Sequence, residues 1–177
     1  MKKVVIFGGS GFLGSYVADE LSCRGFKVII ADLVESKYLK KEQEFRKVDI
    51  LNIKEIESVL KDVSIVYNFS AVAELEEAVN NPLKTFDVNV TGNLNILEVC
   101  KRNGDIKRFV YASSAYALSN EGSFYGISKQ TSEKLTEEYF KKYGLKYTVI
   151  RYGSLYGERA SHNNYIYNLL FKAIKSG

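Results

Sequence analysis

A chain of 177 residues is long enough for one well-cored domain with a small appendage, and its 46% hydrophobic and 26% charged residues are the composition of a soluble globular protein. The net charge of +4 is spread along the chain: the densest basic stretch, Lys37 to Lys41, is followed at once by Glu42 and Glu44 and reads as a solvated helix or loop. That pattern lacks the one-sided basic stripe of a nucleic-acid-binding surface, so no nucleic-acid partner is expected.

The first apolar run, residues 4–7, stops at Gly8-Gly9, too short for an export signal or a membrane span. A cytoplasmic protein without a membrane partner is the expectation. Cys23 and Cys100 each sit inside an amphipathic helical pattern without metal-ligand spacing, which predicts two buried, reduced thiols and no metal site.

Further along, strand-like runs recur at 28–31, 45–48, 65–69, 109–112 and 147–151, mostly β-branched or aromatic and nearly continuous in apolar residues. Such runs suit strands buried on both faces of a parallel sheet. Helical patterns lie between them. One starts at Pro82, places Leu83, Phe86, Val90, Leu94 and Leu97 on one face and stops at Asn103-Gly104. Another runs from about Phe124 to Tyr143 and ends at Gly144, and a last one carries Tyr165, Leu169, Leu170 and Ile174. The alternation predicts an α/β fold: a doubly wound (Rossmann) mostly parallel sheet with helices on both faces. Ligands of such folds sit at the carboxyl ends of the strands.

Directly after the first run comes Gly8-Gly9-Ser10-Gly11-Phe12-Leu13-Gly14, a G-x-x-G-x-x-G spacing that opens a helix. Glycines there permit a tight turn and let backbone N–H groups approach a pyrophosphate at the helix N-terminus. The pattern alone is weak; strand before, helix after and a second strand following make it a dinucleotide fingerprint. The second strand ends at Asp32, whose carboxylate can accept from the adenosine ribose hydroxyls and would repel a 2′-phosphate. NAD is therefore the expected cofactor, with a capping role for Asp32 as the alternative.

Three more motifs follow in order: Ser113-Ser114-Ala115 after a strand, Tyr125-Gly126-Ile127-Ser128-Lys129 opening a helix, and Arg151-Tyr152-Gly153-Ser154-Leu155-Tyr156-Gly157-Glu158-Arg159 after the next strand. Together with the glycine motif they resemble the extended short-chain dehydrogenase/reductase family, which includes the nucleotide-sugar epimerases and dehydratases. The likeness covers essentially the whole chain. Tyr125 and Lys129 are one helical turn apart and share a face. A tyrosine with its ordinary pKa of about 10 is a poor base at neutral pH, and a nearby ammonium favours the phenolate. The resemblance implies that Tyr125 is the general acid/base, that Ser114 holds the substrate oxygen, and that Lys129 serves both the phenolate and the nicotinamide ribose. A chance pair on a helix is the alternative for Tyr125 and Lys129.

Other positions follow by resemblance. Gly8, Gly11, Phe12, Leu13 and Gly14 would hold the pyrophosphate, Asp49 and Ile50 the adenine ring, and Phe69, Ser70 and Ala71 the dinucleotide along a strand end. Asn89 matches an asparagine near the active site, or else anchors its helix from inside. Tyr152 and Ser154 match the segment that passes the nicotinamide. His162 is the single histidine and reads as a loop residue.

Two features depart from the family. The segment between Ser114 and Tyr125 is short, with Tyr116-Ala117-Leu118-Ser119 in place of a Val-Tyr-Gly stretch. Residues 1–157 cover the NAD-binding and catalytic part, and 158–177 only begin a substrate-binding region. The expected function is NAD-dependent oxidation or epimerisation of a UDP-, GDP- or dTDP-linked sugar, in a homodimer formed through the 82–102 and 124–143 helices. An NAD-binding module without turnover, or a 4,6-dehydratase or reductase of the same family, are the alternatives; Ala115 and Tyr116, where a dehydratase needs acids, weigh against the dehydratase.

Overall fold

Alternate residues of strand β1 (Lys3–Phe7) leave in opposite directions: Val5 and Phe7 join one apolar cluster, Val4 and Ile6 another. The same division holds in β2 (Lys27–Asp32), where Ile29 and Ala31 face the first cluster and Val28 and Ile30 the second. This is why these runs carry no polar alternation: both faces of the sheet are covered. In the computed structural model, which describes residues 2–160 and 165–175, the sheet is completed by β3 (Glu44–Lys47), β4 (Ile65–Asn68), β5 (Arg108–Ser114) and β6 (Tyr147–Tyr152). All neighbours pair in parallel, in the order β3-β2-β1-β4-β5-β6. The predicted Rossmann sheet is present, and its order reverses between β1 and β4, opening a crevice at the strands' carboxyl ends.

Helix α1 (Phe12–Cys23) covers the second cluster through Ala18 and Leu21. The first is covered by α2 (Ile53–Val59), by the helical stretch after Pro82 and by Tyr139 of α6 (Ser123–Tyr143). The α6 helix ends as expected at Gly144, in the left-handed conformation with φ 72°. Cys100 is buried, but Cys23, the last residue of α1, is exposed, so the expectation of two buried thiols holds for Cys100 alone.

The stretch after Pro82 differs from expectation. A short helix α3 (Leu75–Asn80) precedes it, and the stretch is not one regular helix: α4 (Pro82–Phe86) passes through a π-helical turn, Asp87–Gly92, into α5 (Asn93–Arg102). Its predicted apolar face is buried only in the second half, at Leu97 and, in part, at Leu94. Leu83 is 83% exposed, while Thr85, Asn89 and Asn93 point inward and are buried. The reason is hydrogen bonding to the chain that leaves β4. Asn89 Oδ1 accepts from the Val72 amide at 2.8 Å, and its Nδ2 donates to the Val72 carbonyl at 3.1 Å and to Ser128 Oγ at 2.9 Å. Asn93 Oδ1 accepts from Asn68 Nδ2 at 2.9 Å. Only the second half of the stretch turns Ile96, Leu97, Val99 and Cys100 into the apolar cluster.

The last helix, α7 (Tyr165–Lys175), is present, with Leu169, Leu170 and Ile174 exposed; His162 and the Tyr165 side chain lie outside the described residues. Among the described residues no helix is long and apolar enough to cross a membrane.

Because Asn89 satisfies both backbone groups of Val72 in a buried place, Asn89→Ala leaves them unpaired. Urea unfolding should show a loss of about 2–3 kcal/mol with an unchanged m-value; a loss within experimental error would remove this anchor from the account.

Candidate active site

The phosphate cradle follows from how tightly β1, α1 and the end of β4 meet. Gly8 turns the chain at φ +73°, and a Cβ there would lie 2.5 Å from the Ser70 amide nitrogen. A Cβ on Gly14 would lie 2.3 Å from the Gly8 carbonyl oxygen, so only glycine lets α1 begin on top of the turn. Gly11 is different: a Cβ there would make a single ordinary contact, at 3.4 Å, and this side of the loop is open. The Ser15 amide bonds the Gly11 carbonyl at 3.0 Å. The amides of Phe12, Leu13 and Gly14 in the first turn have no partner within the helix. Beside them the Ser10 hydroxyl is buried without a hydrogen-bond partner. This donor set fits a diphosphate.

A cavity of about 240 Å³ extends from this loop across the strand ends. Gly8 and Gly11 form one end, Asp32, Asp49 and Ile50 one wall, and Phe69, Ser70 and Ala71 the other. Eight of the residues predicted from sequence to hold the dinucleotide thus line one space. Leu33, Val48 and Val88 line it too and were missed. The first two adjoin Asp32 and Asp49 and were within reach of the motif; Val88 comes from the π turn, for which the sequence carries no signal. The Asp32 carboxylate caps the glycine turn, accepting from the Ser10 amide at 3.0 Å and the Leu33 amide at 2.8 Å. Its capping role and its place on the cavity wall therefore coexist. Asn89 does not line this cavity, because Val72 and Ser128 engage its amide group.

Ser114, Tyr125 and Lys129 come together beyond the other end of the crevice. Ser114 is the last residue of β5, and its Oγ accepts from the Tyr116 amide at 3.3 Å. Tyr125 lies in the first turn of α6, with its phenol close enough to the Ser114 side chain for that group to pull its pKa down. The short segment between them, which departs from the family pattern, is packed closely. It forms a 3-10 turn, Ala115–Leu118, and glycines at the start of α6 lie against it. A Cβ on Gly126 would meet the Tyr116 carbonyl oxygen at 2.9 Å, and one on Gly122 the Tyr116 Cβ at 2.6 Å. The Tyr116 ring stands edge-on to Tyr125 with centroids 6.4 Å apart. Lys129 is 3% exposed, donates to the Ala112 carbonyl at 2.8 Å, and lies 5.0 Å from the Tyr111 ring centroid and 5.7 Å from that of Tyr125. Tyr152 pairs with Ser114 across β5 and β6 and tilts against Phe69, while Ser154 is exposed.

The model of the NAD dependent epimerase/dehydratase family matches residues 4–177. The chain belongs to this family. It is 30% identical over 199 residues to a UDP-glucose 4-epimerase of Lactobacillus helveticus, covering 97% of this chain and 60% of that protein. Among solved structures, it is similar to a UDP-glucose 4-epimerase of Thermus thermophilus in complex with NAD, with a TM-score of 0.87, 29% identity, and coverage of 97% of this chain and 61% of the other. It is similar also to a UDP-N-acetylglucosamine 4-epimerase of Methanobrevibacter ruminantium in complex with UDP-N-acetylmuramic acid, with a TM-score of 0.87, 26% identity, and coverage of 99% and 63%. The chain therefore spans less than two thirds of these relatives' length.

For a member of this family the electrostatics carry one departure from the expected picture. Burial pushes the Tyr125 phenol up from its ordinary 10, and the nearby Ser114 side chain only partly offsets this. The expected downward pull of Lys129 does not prevail, because its ammonium is directed to the Ala112 carbonyl. Lys129 itself is pushed down to about 8 by burial, with Glu133 acting in the opposite direction. A lysine whose folded pKa is about 8, against 10.5 when exposed, loses its proton earlier in the folded state. Below 8 the full penalty of the buried charge applies, and it is relieved as the pH rises to 10.5. Lys129→Met should thus gain most over the parent chain near pH 7, and less at each step toward pH 10.5. A stability difference that stays flat between pH 7 and 10, measured by urea titration, would contradict the buried ammonium.

Proposed function

We propose that this chain binds NAD and belongs to a protein that oxidises, and thereby epimerises, a carbinol of a nucleotide-activated sugar. The observation that carries the reading is the meeting of Ser114, Tyr125 and buried Lys129 at the carboxyl end of β5, on the same side of the sheet as a glycine cradle suited to a diphosphate. All three named relatives are epimerases of UDP-linked sugars, which supports a UDP-sugar as the substrate class.

The pyrophosphate would meet the first-turn amides of α1, and the adenosine would lie between the Asp32–Asp49–Ile50 wall and the Phe69–Ala71 stretch. NAD, when bound, supplies a hydride acceptor. The protein's own residues handle the proton. Ser114 holds the substrate oxygen at the end of β5, and Tyr125 takes the proton from that oxygen as the hydride leaves the same carbon. The raised Tyr125 phenol needs a positive neighbour to act as a base at neutral pH, and Lys129, 5.7 Å from its ring centroid, would supply it by turning from the Ala112 carbonyl. Ala115 and Tyr116, in place of acids, support epimerisation over 4,6-dehydration.

Residues 1–157 serve as the NAD-binding and catalytic part in this reading, with 158–177 beginning the region that grips the nucleotide-sugar. The protein is cytoplasmic and assembles as a homodimer through the 82–102 and 124–143 helices, on which Leu83 and Ile127 are exposed. Monomeric mass in light scattering at micromolar concentration would count against the dimer.

Isothermal titration should show NAD binding at least tenfold tighter than NADP, a difference of about 1.4 kcal/mol, narrowed by Asp32→Ala. Equal affinities would sink the assignment of the cofactor. With NAD and a panel of UDP-, GDP- and dTDP-sugars, Tyr125→Phe should lower sugar interconversion by about 10²–10⁴-fold while leaving NAD affinity nearly unchanged. Normal turnover in that variant would show that Tyr125 is not the base. Tight NAD binding without conversion of any sugar would favour a binding module.

A further inference from the structure

Tyr125, Lys129 and Glu133 occupy successive turns on one side of α6. The mechanism uses the first two and leaves Glu133 without a part. Its carboxylate is gripped from the edge of the sheet by a two-pronged ion pair: Arg151 Nε donates to Oε1 at 2.9 Å and Nη2 to Oε2 at 2.7 Å. Only 12% of the Glu133 side chain is exposed, against 43% of Arg151. Arg151 sits on β6 in register with Ser113, the residue after Ala112, whose carbonyl receives the Lys129 ammonium. Lys129 is thus held on β5 and Glu133, one helical turn further along α6, on the neighbouring strand β6.

The surroundings of Lys129 are otherwise short of negative charge. Its ammonium meets one carbonyl, the Tyr111 ring from β5 and the Tyr125 ring from its own helix. The charged group that acts on it is Glu133, which opposes the effect of burial. On Glu133 itself burial pushes the carboxyl up, and the Arg151 fork outweighs that, so Glu133 stays ionised. We propose that Glu133, held by Arg151, is a positioning residue that keeps Lys129 charged and seated on the Ala112 carbonyl. Its bearing on the reaction rests on the role given to Lys129 under Proposed function.

The arrangement has a signature that a purely structural pin lacks. Glu133 favours the ammonium, whereas Arg151 weakens the field of Glu133, so removing one or the other should move Lys129 in opposite directions. The experiment is an NMR pH titration of the full chain carrying ¹³C,¹⁵N-lysine, with the Lys129 signal assigned through Lys129→Met. The parent midpoint is expected near 8. Glu133→Gln should lower it by about one pH unit, and Arg151→Met should raise it by a smaller amount. Midpoints that do not move in folded variants, or that move in the same direction, overturn the proposal. If Glu133→Gln fails to fold, Arg151→Met is read against the charge-keeping Arg151→Lys: loosening of the helix would expose Lys129 and raise the midpoint in both, which overturns the proposal, whereas a rise in Arg151→Met alone supports it. The titration involves no cofactor, so it stands or falls separately from the functional reading. NAD affinity measured on the same proteins tests that reading: a shifted midpoint with unchanged affinity supports the proposal and removes the ribose contact from the role of Lys129.

Discussion

Helix α6 meets its neighbours through hydrogen bonds where most helices of such a fold use apolar side chains. Its inward residues Ser128, Lys129, Ser132 and Thr136 are all buried. Ser128 bonds Asn89, Ser132 Oγ donates to the Asn89 carbonyl at 2.7 Å, and Lys129 reaches the Ala112 carbonyl. Apolar surfaces tolerate sliding, since hydrophobic burial is non-directional. A seam of buried donors and acceptors does not, because a shifted partner is left unsatisfied. The seam therefore sets the height and rotation of α6, and with them the meeting of Tyr125 and Ser114. The π turn fits the same constraint: Asn89 lies within it and points at Val72 and Ser128.

Close backbone approach is the second organising feature, and it occurs at both ends of the crevice. At one end Gly8 and Gly14 let β1, α1 and the segment after β4 come within distances no side chain would allow. At the other end Gly122 and Gly126 do the same for the start of α6 and the 3-10 turn after Ser114. The short loop peculiar to this chain is thus packed against the catalytic helix, bringing the Tyr116 ring to Tyr125. Gly11 is the exception, since a Cβ there would make a single ordinary contact.

Burial also accounts for the tension in the site. It pushes the Tyr125 phenol up and the Lys129 ammonium down, so both groups are driven toward neutrality. The roles proposed for them need the opposite. The Ser114 side chain acts against burial on the phenol, and Glu133 does so on the ammonium.

Local information in the sequence determined much of this. Continuous β-branched and aromatic runs marked every strand to within two residues, because strands buried on both faces cannot carry polar alternation. The glycine spacing marked the cradle, and the one-turn separation of Tyr125 and Lys129 marked the face of α6 proposed as catalytic, since both depend on near neighbours in the chain. What the tertiary structure alone decided was pairing between distant segments. The stripe from Leu83 to Leu97 announced an apolar face, yet the inward face of its first half is polar, because the backbone of Val72 needed partners that only Asn89 supplies. Val88 on the cavity wall and Arg151 on Glu133 were hidden for the same reason. Periodicity reveals that a helix has a side to bury, whereas the partner on that side is a property of the folded chain.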